Sequence, residues 1–251
     1  MRQEETPSTA RRTALRLGGA CAVAGSVAVA GFRLNHGDLP AADAHAALGF
    51  ISAHPFYAGV HIGAILGVLT WTAGFVTLAS TLTHPLGRVL GRMGAAGVLA
   101  GAAIYGTEHS IDGVTGQSLA GMWAGAAPAG QANLDLAAHT AFQMLRGPSL
   151  IAIILLWGLA PMLYGRALTL EGHPVWLGRA GLVIGATTVV SSVALLMRED
   201  LFPGFLVYGL LVSIVVQLWS LFVGVSMWRR SRGTASAGLS PAPVRDGEPV
   251  S

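Results

Sequence analysis

The stretch GAAGVLAGAAIYGTEHSIDG, residues 94 to 113, decides how this chain folds. Up to Gly106 it carries no polar side chain larger than tyrosine, and then Glu108, His109 and Asp112 arrive almost together. A helix of the first composition is built for lipid. A carboxylate at its end is costly unless it is paired, protonated or bound to a cation, which makes a functional role the default reading. The stretch therefore predicts a transmembrane helix that finishes in a polar site.

The rest of the chain agrees. Only 11% of the 251 residues are charged and 53% are hydrophobic, against about 25% charged in an ordinary soluble domain. Apolar runs of about 20 residues, long enough to span a bilayer, lie near 14–33, 55–82, 88–112, 136–165, 178–197 and 203–228. The expected fold is all-α: a polytopic bundle of six transmembrane helices. It divides into a cytoplasmic N-terminal segment at 1–13, the membrane domain at 14–231 and a disordered cytoplasmic tail at 232–251. The tail is rich in Pro, Ser and Gly without apolar periodicity. Ala28-Val29-Ala30 in the first span resembles a signal-peptidase site, so that span is a candidate for cleavage.

Every basic residue is arginine. With both termini inside, twelve arginines fall on the inner side and only Arg33, Arg146 and Arg198 on the outer side, so the positive-inside rule places both termini in the cytoplasm of a multi-pass cell-membrane protein. No basic stripe with interleaved aromatics is present, which argues against nucleic acid as a partner. The single cysteine, Cys21, excludes an internal disulfide or a cysteine-based metal cluster. Six of the eight histidines, His36, His45, His54, His61, His109 and His139, fall on the outer side, as do most carboxylates between the first and last spans. The outer face is where chemistry is expected.

An internal repeat sharpens this. AHPFYAGVHIG at 53–63 is echoed by AHTAFQMLRGP at 138–148, and HPLGRVLGRMG at 84–94 by HPVWLGRAG at 173–181. Residues 53–100 and 138–187 are thus expected to form a parallel repeat of a two-helix hairpin, with His54 facing His139 and His61 facing Arg146. His54, His61 and His139 become candidate metal ligands, since neutral imidazole suits zinc, copper or iron. Glu108 and Asp112 share a face at i, i+4. His139, Gln143 and Arg146 form one polar stripe, which makes Arg146 the expected countercharge for Glu108 or the group that binds an anionic substrate. His109 is expected to point away, as an interface residue. The glycine-rich GMWAGAAPAG at 121–130 reads as an outer loop.

No HExxH, Walker, EF-hand or GxSxG motif occurs, and the ExxH pairs of a di-iron bundle are missing. PVWLGRAGLVIG, following a hairpin that ends LYGRALTLEG, resembles a broad set of uncharacterised multi-helix bacterial membrane proteins of actinobacterial type. That resemblance implies a six-helix architecture in a bacterial cytoplasmic membrane, and carries no catalytic residue with it. The functional expectation is a membrane-embedded enzyme in which Glu108, His139, Asp112 and Arg146 perform acid-base chemistry, with or without a metal, on a lipophilic small molecule drawn from the membrane lipid. The alternatives are a non-catalytic site for a divalent transition metal or haem, and a transporter or assembly subunit.

Overall fold

The computed structural model describes residues 7–37, 39–40, 42–198 and 205–233. Asp38, Glu199, Asp200 and nearly all of the predicted tail lie outside the described residues. Within them the chain is helical: α1 (Pro7–Leu34), α2 (Ala44–Ser52), α3 (Tyr57–Thr81), α4 (Pro85–Ser110), a π-helical turn (Ile111–Thr115), α5 (Gly116–Ala124), α6 (Pro128–Ile153), a second π-helical segment (Ile154–Leu159), α7 (Ala160–Leu170), α8 (Val175–Met197) and α9 (Phe205–Gly233). Six continuous helical stretches are long and apolar enough to cross a membrane, and they coincide with the six expected spans. Leu66, Leu99, Val183, Val190, Leu211 and Leu218 are all exposed along these helices. Such side chains need an apolar solvent, and the protein is a multi-pass membrane protein.

Lipid tails are as apolar as leucine, so packing and interhelical hydrogen bonds hold such helices together rather than a hydrophobic force between them. Trp71 Nε1 donates to Ser220 Oγ at 2.9 Å, joining α3 to α9, and the Tyr164 hydroxyl donates to the Phe75 carbonyl at 2.9 Å, joining α7 to α3. At the arginine-rich end, Glu171 fastens two hairpins: its carboxylate accepts the main-chain N–H of Thr83 and of His84, each at 2.5 Å, and the Thr83 hydroxyl at 2.9 Å. Arg230 donates to the Glu171 carbonyl and Arg11 to the Thr81 carbonyl, adding α9 and α1 to the same knot. Burial alone would raise the Glu171 carboxyl, but the hydrogen bonds from His84 and Thr83, helped by the Arg11 charge, hold it below its usual range. Burial, with Arg230 nearby, pushes His173 down to about 4.

Two of the six stretches are far longer than a bilayer is thick. Pro85–Ala124 has 40 residues and Pro128–Leu170 has 43, or about 60 and 65 Å at 1.5 Å per residue, against a hydrocarbon core of about 30 Å. Their excess length builds a cap. There α2 packs on α5 and α6 around a separate apolar core of Leu39, Ala47, Leu48, Ile51, Ala120 and Ala138. Leu48 and Ile51 are fully buried in it, each worth about 1.5–3 kcal/mol. Asp43 caps α2 by accepting from the Ala46 N–H, and His45 Nδ1 donates to Asp135 on α6 at 3.0 Å. This corrects the expected loop at 121–130. Only Gly125–Ala127 link the helices, because Leu119, Ala120 and Trp123 are recruited as apolar contacts for α2.

Candidate metal centre

Tyr57 belongs to the cap core and Tyr105 to the membrane core. Between these rings, at the seam of the two cores, three side chains from distant parts of the sequence converge. His36 follows the end of α1 in a turn completed by Gly37, whose φ of 76° is a conformation other residues rarely adopt. His61 lies on α3, one turn beyond Tyr57. Asp112 comes from the π-helical turn after α4, a local widening that recurs at functional sites. Gly113 permits the close approach of this turn, for a Cβ there would stand 2.6 Å from His61 Cγ.

Main-chain carbonyls orient both rings. His36 Nδ1 lies 3.3 Å from the Gly37 carbonyl and His61 Nδ1 lies 2.9 Å from the Tyr57 carbonyl. A carbonyl only accepts, so with each Nδ1 protonated to donate to it, each neutral ring is left with a lone pair on Nε2. Those two Nε2 atoms face each other at 3.2 Å. Asp112 Oδ2 lies 3.1 Å from the Nε2 of His61 and 3.8 Å from that of His36. With both rings in that tautomer three lone-pair donors face one another, and a cation, either a proton or a metal ion, would satisfy all three. The triangle they form has a circumscribed radius of about 2.0 Å, which falls at the zinc–nitrogen and zinc–oxygen bond lengths of about 2.0–2.2 Å. This is the spacing of ligands around one small ion. The two axial ligands of a haem stand on opposite sides of a macrocycle and have a different geometry.

The surroundings are those of a built site. The Tyr57 hydroxyl donates to Asp112 Oδ1 at 2.9 Å, leaving Oδ2 as the free ligand atom. Partners of this kind orient ligands and raise their affinity. Beside the cluster a cleft with room for about one water molecule is lined by Phe32, Arg33, His36, His61, Tyr105 and His109, among others. His109 is stacked on Tyr105 with ring centroids 3.7 Å apart, and its Nδ1 contacts Glu108 Oε2 at 2.5 Å. Glu108 and His109 are both buried. The carboxylate holds the ring by one nitrogen, which leaves Nε2 as the atom available for proton transfer.

The expected site residues are therefore regrouped. Asp112 and His61 meet, and Glu108 lies close by, but its partner is His109, which does not point away as the sequence reading had it. Arg146 donates to the Leu195 carbonyl on α8 at 3.4 Å. The trio His54, His61 and His139 does not converge among the described residues; the ligand set that does is His36, His61 and Asp112. His54 closes α2 instead of opening α3: its Nδ1 donates to the Phe50 carbonyl at 2.6 Å and its ring stacks on Phe50. His139 is exposed on α6. Sequence reasoning counted His36 among the outer histidines without giving it a role, and passed over Tyr57, although the i, i+4 spacing of Tyr57 and His61 was there to be seen.

The chain matches no protein-family model, no curated protein and no solved structure.

Proposed function

We propose that this is a metal-dependent enzyme of a bacterial cell membrane, acting at the outer boundary of the bilayer on a lipophilic substrate. One observation carries the reading: the Nε2 atoms of His36 and His61 and Asp112 Oδ2 converge at metal-ligand spacing, with both imidazoles anchored to main-chain carbonyls through Nδ1. Two imidazoles and a carboxylate suit a divalent transition ion, zinc or ferrous iron above all. Three protein ligands beside a water-sized cleft match the arrangement of catalytic zinc sites, which keep one position open. The ion would supply Lewis acidity and bring a bound water towards a pKa of about 7. His109, steered by Glu108, takes the proton from the attacking water and returns it to the leaving group. Tyr57 holds Asp112 in place. The arginine-rich end faces the cytoplasm, by the same charge asymmetry as before, and the cap with its site faces outwards.

Two measurements test this. Elemental analysis of protein purified in a neutral detergent should find about one transition-metal ion per chain, with no haem absorption band. With Cys21 replaced by serine, Gly125→Cys should react with a membrane-impermeant maleimide in intact cells. A chain without metal removes the centre, and a Gly125→Cys thiol that reacts only after lysis removes the outward face.

A further inference from the structure

Arg33 shares the cleft with the candidate metal ligands and has a different chemistry to offer. It stands in the last turn of α1 and is half-buried. Its guanidinium does not extend away from the bundle: a Cβ placed on Gly209 of α9 would come within 2.9 Å of Arg33 Nη2, so the head group is folded against that helix. Among the described residues Arg33 has no hydrogen bond and no ion pair. A guanidinium held against the bundle at the membrane boundary without a protein partner is open to an anionic ligand. Five donors in a rigid planar fork match a carboxylate or phosphate and little else.

The cleft pairs this cation with an apolar wall. Phe32 precedes Arg33 on α1, and Val60 and Ala64 approach from α3 on either side of His61. The geometry points to Arg33 as the binding residue for an anionic amphiphile, one whose phosphate or carboxylate sits on the guanidinium at the mouth of the cleft while its hydrocarbon runs outward along Phe32 and Val60, both only partly buried. This rests on the metal-enzyme reading for its consequence, namely that the anchored head group is held beside His36 and His61. The binding itself needs only Arg33 and the wall. A lipid head group and a free phosphate share the anionic chemistry, and the apolar wall selects the lipid.

Isothermal titration in a neutral maltoside detergent distinguishes these, using dodecyl phosphate and inorganic phosphate as probes on wild type, Arg33→Gln and Arg33→Lys. Each protein is titrated both after chelation and after zinc loading, so that direct coordination to the metal is separated from the contribution of Arg33. Wild type should bind dodecyl phosphate at least about tenfold more tightly than inorganic phosphate, and Arg33→Gln should lose about tenfold or more towards dodecyl phosphate in both metal states. Arg33→Lys keeps the charge but loses the fork, and should fall between them. It carries the test if the glutamine variant does not fold by circular dichroism. Equal affinity of wild type and Arg33→Gln, or of wild type and a folded Arg33→Lys where the glutamine variant is lost, overturns the assignment, and equal affinity for the two probes overturns the amphiphile. If wild type takes up no zinc when loaded yet shows the Arg33 effect, the enzyme reading fails and this site stands. A metal-loaded wild type without that effect would do the reverse.

Discussion

Replacing His61 by alanine is expected to abolish metal binding while the six-helix bundle still inserts. His61 is the ligand with the shortest reach to both other donors, 3.2 Å to His36 Nε2 and 3.1 Å to Asp112 Oδ2. Its loss removes one ligand and leaves His36 and Asp112 3.8 Å apart. Losing an outer hydrogen-bond partner of a ligand costs about 10–100-fold in affinity, so losing the ligand itself should exceed about 100-fold. The graded comparison is Tyr57→Phe, which removes only the hydroxyl that holds Asp112 Oδ1 and should weaken metal about tenfold. Competition titration with a chromogenic chelator reads both. If the two variants hold metal as tightly as wild type, the cluster is a proton-sharing hydrogen-bond network and no ion belongs there.

The second large effect concerns Glu108. Glu108→Gln keeps the size of the side chain but removes the carboxylate that orients His109 at 2.5 Å, so the ring can adopt the wrong tautomer. Acid-base catalysis by a positioned residue contributes about 10²–10⁴-fold, and a loss of about 100-fold in turnover is expected with metal content unchanged. A suitable probe is the mixed 4-nitrophenyl dodecyl phosphodiester, which is anionic and amphiphilic and releases nitrophenolate when water attacks phosphorus. Wild type should release it in a chelator-sensitive manner. Wild-type rates from Glu108→Gln would reduce the Glu108–His109 pair to a buried hydrogen bond, and no chelator-sensitive release from wild type would remove the catalytic reading for this substrate class.

The six spans were readable because long apolar runs between arginine-flanked turns admit few other structures. The cap was not. Its α5 and α6 are continuous with the third and fourth spans, and GMWAGAAPAG contains enough glycine to read as a loop when the contact that rescues it, Trp123 and Leu119 against α2, lies some seventy residues away in the chain. Glu108 and Asp112 announced themselves as carboxylates at the end of a lipid-facing helix. The ligand set did not, because His36, His61 and Asp112 are separated by 25 and 51 positions and no local spacing connects them. The apparent repeat drew attention to His54 and His139 instead. The π-helical turn at Ile111–Thr115 has no signature in composition, and it supplies Asp112 to the site.

Whether two imidazoles and one carboxylate share a single ion is read most directly by X-ray absorption at the metal edge of the purified wild-type protein. The expected spectrum shows a first shell of nitrogen and oxygen donors at about 2.0–2.2 Å, without sulfur, and with the multiple-scattering pattern of two imidazole rings. A shell of oxygen donors alone, with no imidazole scattering, would contradict it.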